Sequence, residues 1–246
     1  MQLNILGSGT TAGETGRNCS GYLIDGRFLF DCGPGIWSAL FSKSKPAIPI
    51  NHIFLSHFHV DHFADLIPLL WTRWLFALKS PQPLMNVYGP AGLRDWFKEL
   101  TNLHQEWVKD LDISLHELKQ GKKEVDNYLV ETLPTIHIGN SICYRLTDQR
   151  GKSLFYSGDT SWNDNLAILA HSCDLAIIEA SVLPEDQTEV HLTPQQAAQV
   201  AARAQAKTLV LTHLYPQVWP AGPSKIAAAF FHGEIIEAED NMVINI

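Results

Sequence analysis

Hydrophobic positions fall into two kinds of run along the chain. Short apolar, β-branched or aromatic stretches read as strands, among them 53–56, 129–136, 154–156 and 208–212. Short strands also dominate the first fifty residues, separated by Gly-rich turns at 7–16 and 33–35. Longer stretches predict helices over about 64–77, 93–103, 167–170, 194–206 and 224–230, and Thr193-Pro194 supplies an N-cap and a first-turn proline for the fourth. Segments 142–146 and 153–156 predict a hairpin around Gln149-Arg150-Gly151. Strands alternating with helices argue for α/β or mixed layers, not a bundle. Trp71, Trp74, Leu75 and Leu78 recur at helical spacing, the usual mark of a core stripe, and the Trp density beside Arg73 also suits a homodimer interface.

At 246 residues and 46% hydrophobic, the chain can bury a large core, and a single domain over 1–246 is expected, with 45–49 and 79–83 as connecting loops. Cys19, Cys32, Cys143 and Cys173 form no CxxC pair, so reduced, buried thiols are expected, and Cys32, which the Asp31-Cys32-Gly33 turn could bring toward the site, is read as structural. No leader pattern or membrane-length apolar run is present, which argues for a soluble, cytoplasmic protein with no membrane partner. The net charge of −8 opposes binding of a large nucleic acid, and the nearest basic group, 119–123, is broken by Gly121 and reads as a solvated turn.

The chemistry concentrates in His57-Phe58-His59-Val60-Asp61-His62, which directly follows an apolar strand. Three imidazoles and a carboxylate in six positions are donors for zinc, manganese or iron. His137, Asp159 and His213 likewise stand just past strand-like runs, so one edge of one sheet is expected to collect all seven donors. Seven donors can fill two adjacent metal positions if Asp159 bridges them. Two metals about 3.5–4 Å apart lower the pKa of a shared water and clamp the oxygens of a displacement.

The HxHxDH run, His137, Gly158-Asp159-Thr160 and Thr212-His213 resemble the metallo-β-lactamase superfamily. Leu6-Gly7-Ser8-Gly9, the stretch 17–24, Phe28-Leu29-Phe30-Asp31-Cys32-Gly33-Pro34-Gly35, Glu179-Ala180-Ser181 and His191-Leu192-Thr193 are similar to its ribonuclease Z-like and cyclic-phosphodiesterase branch. The resemblance spans most of the chain and implies an α+β fold, the four-layer αββα sandwich. It implies a dinuclear hydrolase in which His57, His59 and His137 hold one divalent metal, Asp61, His62 and His213 hold the other, and Asp159 bridges. Zinc is the first expectation.

From the same branch, His191 is carried over as a general acid, oriented by Glu179 or Glu189, and Asp61 is counted with the catalytic candidates as well as with the metal ligands. The tRNA-processing members carry a basic arm after the third metal histidine, whereas 138–158 here has room for little beyond one hairpin. Tyr215, Trp219, Pro216 and Pro220 also depart from the Ser- and Arg-containing segment of those enzymes. The expected substrate is a small nucleotide or cyclic phosphodiester. A tRNA 3′-processing endonuclease, or a hydrolase of a carbonyl ester, thioester or lactam, is the alternative; a di-iron redox protein or nucleotide sensor stands further off.

Overall fold

The computed structural model describes residues 1–12, 16–41, 50–137, 139–186 and 188–246, so the loop expected at 45–49 lies outside the described residues. The strands are β1 (Gln2–Gly7), β2 (Gly21–Ile24), β3 (Phe28–Phe30), β4 (His52–Phe54), β5 (Met85–Gly89), β6 (Ile113–Glu117), β7 (Gly121–Val125), β8 (Tyr128–Pro134), β9 (Ile142–Asp148), β10 (Ser153–Tyr156), β11 (Leu175–Glu179), β12 (Thr208–Thr212), β13 (Glu234–Glu237) and β14 (Val243–Asn245). They form two seven-stranded sheets among the described residues, ordered β14-β1-β2-β3-β4-β5-β6 and β13-β12-β11-β10-β9-β8-β7. Each sheet is antiparallel at one side and parallel at the other, with β3-β4-β5-β6 and β10-β11-β12-β13 parallel.

The apolar runs are continuous because both faces of each sheet are covered. Along β3, Phe28 and Phe30 point between the sheets while Leu29 points to the helices; along β12, Val210 points inward while Leu209 and Leu211 point outward. That two-residue period divides the core into three layers. The central layer packs Phe30 edge-on to Tyr144 at 5.3 Å and Tyr22 against Tyr156 at 4.9 Å. Hydrogen bonds from Tyr144 Oη to the Leu55 carbonyl, 2.7 Å, and between Tyr22 Oη and Thr212 Oγ1, 2.7 Å, tie the sheets together.

On the first sheet lie α1 (Ile36–Phe41), α2 (Val60–Phe63), α3 (Leu66–Ala77), α4 (Leu93–Thr101) and α5 (Gln105–Val108). On the second lie α6 (Asp164–Leu169), α7 (Pro194–Ala204) and α8 (Pro223–Ala227). The result is a four-layer αββα sandwich. Helix α7 starts where expected: Thr193 Oγ1 accepts from the Gln196 amide while the Gln196 side chain accepts from the Thr193 amide, a capping box with Pro194 at the first position. It ends earlier than expected, because Gln205 turns left-handed at φ 54°.

Two expectations are corrected. The Trp71/Trp74/Leu75/Leu78 stripe meets the core only at Trp74, which packs half-buried on the helix-side core: α3 buries Leu66, Leu69, Leu70 and Arg73, which turns Trp71, Leu75 and Leu78 outward. The Arg73 guanidinium donates to the carbonyls of Ile50 and Pro83 within the chain. Residues 121–125 are not a turn but the edge strand β7, whose Lys122 pairs with Glu131 of β8 at 2.8 Å. Helix α1, unforeseen in the strand-rich first fifty residues, places Ile36 and Leu40 in the helix-side core.

Candidate metal centre

Strand β4 runs directly into the histidine-rich segment. His57 and His59 lie in the turn, and one turn of helix, α2, carries Asp61 and His62 on its buried side and Val60 on its exposed side. Phe58 and Phe63 point away and pack on Trp96 of α4, stacked at 4.6 Å and edge-on at 4.8 Å. Aromatic anchoring on one side thus aims the polar side chains to the other. His137, Asp159 and His213 follow the ends of β8, β10 and β12. The donors therefore come from the edges of two sheets, not one edge of one sheet, because β4 belongs to the first sheet and the other three strands to the second. His213 holds φ 53° and Gly158 φ 57°, and a Cβ on Gly158 would lie 2.7 Å from that of Ser56, so residue 158 must be glycine for the sheets to close here.

The seven donors converge. Ligand atoms of His57, His59, His137 and Asp159 lie within 4.8 Å of one another, and those of Asp61, His62 and His213 do the same. Asp159 touches both groups: its Oδ2 is 3.9 Å from His57 Nε2, 3.8 Å from His137 Nε2 and 3.5 Å from His213 Nε2, while Oδ1 is 3.3 Å from His62 Nε2. His213 Nε2 is also 3.3 Å from Asp61 Oδ2. His191 completes a third group with Asp159 and His213.

Hydrogen bonds on the far side of each ring determine which nitrogen faces inward. His62 Nδ1–H donates to Asp31 at 2.7 Å, and His137 Nδ1–H to the Val190 carbonyl at 3.0 Å. Ser56 Oγ donates to Asp31, so at 3.0 Å it accepts from His57 Nδ1–H. Ser181 Oγ donates to Glu179 and at 2.9 Å accepts from His213 Nδ1–H. Glu179 also takes the Nδ1–H of His191 at 3.0 Å and the amides of Thr160 and Leu192, which holds the turn next to Asp159. Two buried carboxylates, Asp31 and Glu179, thus turn the Nε2 atoms of four rings, His57, His62, His191 and His213, to one space. His59 differs, with Nδ1 inward, 3.1 Å from His137 Nε2.

This donor set fits divalent cations. His57 Nε2, His62 Nε2 and Asp159 Oδ1 are buried without a hydrogen-bond partner, and each such atom costs about 1–3 kcal/mol when left unpaired. A cation uses those same lone pairs. Burial, reinforced by the neighbouring rings, holds His57 well below the usual histidine range, whereas at His62 the carboxylates of Asp159 and Asp31 outweigh burial and raise it. Burial opposes charge on Asp159 too, but His213, His62 and His57 outweigh it and keep the carboxylate ionised. For His191, burial is outweighed by the bond and charge of Glu179, so its range is raised.

Glu179 contacts His191, whereas Glu189 is exposed. Cys32 packs in the helix-side core, and burial raises its thiol well above the ordinary range. Asp31, Ser56 and Ser181 are the residues that sequence reasoning missed as parts of the site. Asp31 carried a signal, since it follows β3 in the same strand-then-donor layout as the ligands.

The profile of the Beta-lactamase superfamily domain matches residues 26–214. An uncharacterized protein of Mycobacterium tuberculosis is 31% identical over 244 residues, covering 93% of this chain and 85% of its own length. The metallo-β-lactamase fold protein YhfI of Bacillus subtilis superposes with a TM-score of 0.86 at 25% identity, over 99% of this chain and 98% of that one. Human tRNase Z, short form, gives 0.80 at 29% identity, over 100% and 99%. The chain belongs to the metallo-β-lactamase superfamily, in its ribonuclease Z-like branch. It is a hydrolase of that fold, with clustered His and Asp side chains of the kind that bind divalent metals. No helix among the described residues is long and apolar enough to cross a membrane.

Proposed function

We propose that this protein is a divalent-metal-dependent phosphodiesterase acting on a small nucleotide or cyclic phosphodiester. The observation that carries this reading is the contact of Asp159 with both donor groups beside the Glu179–His191 pair. Two cations, zinc first and manganese or iron otherwise, would be held by His57, His59 and His137 and by Asp61, His62 and His213 with Asp159 between, and would activate water and neutralise phosphoryl charge. His191 is bound to Glu179 through Nδ1, leaving Nε2 to hand a proton to the departing alkoxide. Glu179 stabilises the imidazolium and keeps the ring from turning. Asp61 is anchored by His213 and faces the same space, available to orient the attacking water.

Substrate size follows from charge and shape. Residues 139–158 contain a single hairpin, β9-β10, and the chain carries −8, which favours a small anion over a long nucleic acid. The likeness to human tRNase Z supports a second reading, endonucleolytic tRNA processing. A precursor-tRNA cleavage assay run beside a cyclic-nucleotide panel separates the two. The role of His191 is tested by His191→Ala, expected to keep its metal while kcat on a phosphodiester with a poor leaving group falls on the order of 10²-fold or more. Lost metal or an unchanged rate would retire the assignment.

A further inference from the structure

The chain has six tyrosines, and five spend their hydroxyls inside the fold: Tyr22 on Thr212, Tyr88 on His52, Tyr128 on Asp25, Tyr144 on the Leu55 carbonyl and Tyr156 on Asp31. Tyr215 differs, because its hydroxyl has no hydrogen-bond partner among the described residues. Its ring stands at the centre described above, with its centroid 5.9 Å from those of both His191 and His213 and nearly perpendicular to the latter at 89°. The half-buried side chain is close enough to Asp159, Asp61 and Glu179 to feel their charge. Its backbone is fixed, since the Tyr215 amide donates to the Ser181 carbonyl and its carbonyl accepts from the Val218 amide at 2.9 Å. A rigidly held, partly desolvated O–H donor without an internal acceptor is suited to an acceptor brought by a ligand.

We infer that Tyr215 is a substrate-positioning residue whose O–H donates to a non-bridging phosphoryl oxygen of the bound phosphodiester. The assignment rests on the phosphodiesterase reading for the identity of that acceptor. Cations pull on a phosphoryl group from one side, and a phenol held beside both His191 and His213, whose own centroids are 5.8 Å apart, adds a directional contact next to the proton donor.

The test compares metal-loaded wild type with Tyr215→Phe, which keeps the ring and its packing. Inorganic phosphate, titrated calorimetrically, should bind about tenfold more weakly to the variant, the loss expected for one hydrogen bond to a charged acceptor. KM for a cyclic nucleotide should rise in proportion while kcat stays within about twofold, the signature of lost ground-state binding. Equal phosphate affinity and equal KM would overturn the inference, as would a lowered metal content in the variant. If wild type hydrolyses no phosphodiester, the functional reading fails, and the phosphate titration alone still decides the role of Tyr215.

Discussion

His62 Nδ1 and Asp31 Oδ2 lie 2.7 Å apart, both shielded from solvent, and this pair couples the first sheet to the metal centre. Asp31 accepts four hydrogen bonds, from the Ser56 amide and hydroxyl, His62 and Tyr156, all at 2.6–2.7 Å. Its backbone is left-handed at φ 56°, a conformation a non-glycine residue keeps only when its surroundings over-determine it.

Asp31→Asn is therefore expected to weaken metal binding. The amide offers one acceptor oxygen and two N–H donors where four donors already point, so His62 or the Ser56–His57 relay must lose its partner. Changes to outer-shell partners of metal histidines lower affinity by roughly 10–100-fold. Competition with a chromophoric chelator measures the shift. A midpoint equal to that of wild type would show that Asp31 supports the fold and not the ligands.

Asp159 stands between the two donor groups, so its loss should be felt by both. Asp159→Ala is expected to lower the bound metal in elemental analysis below two per chain, and unchanged stoichiometry would count heavily against a bridging role. Removing metal from wild type by chelation should abolish hydrolysis and lower Tm, because a ligand that binds only the folded state stabilises it by mass action. Adding zinc or manganese back should restore both. A Tm indifferent to chelation would mean that the buried lone pairs of His57, His62 and Asp159 are satisfied some other way.

Parts of this architecture were readable before any coordinates. Strands covered on both faces become unbroken apolar runs, and a donor placed just past such a run lies at a sheet edge by geometry alone; His57, His137, Asp159 and His213 could all be picked out this way. The start of α7 was legible because Thr193, Pro194 and Gln196 act locally. What stayed hidden depends on non-local pairing. Nothing near β4 in the chain indicates that its sheet is separate from that of β10 and β12. The stripe on α3 was misread because residues 66, 69, 70 and 73 form an equally apolar face but for Arg73, and only the packed sheet decides which face is covered. Tyr215 looked like a departure from a pattern, and only the accounting of all six hydroxyls gives it a chemical meaning.

The last expectation concerns acid stability and lies away from the metal centre. Asp174, mostly buried before β11, accepts from Lys207 at 2.7 Å, Lys152 at 3.2 Å and the Ser153 amide at 2.9 Å, so it ties the start of β10 to the loop before β12. Burial alone would raise its pKa, but these donors outweigh burial and hold the carboxyl below the usual range. With the folded value depressed below about 3.9 for the unfolded chain, the ionised form is favoured by folding. Its contribution is fully present above that value and fades as pH falls through the folded one. Asp174→Asn should lower the urea midpoint at pH 7 by the equivalent of about 0.5–1 kcal/mol, because both lysines are solvent-exposed and screened. The gap should begin to shrink as the pH falls below about 4. A gap that stays constant or widens with acid would show that the Asp174 contacts owe nothing to its charge.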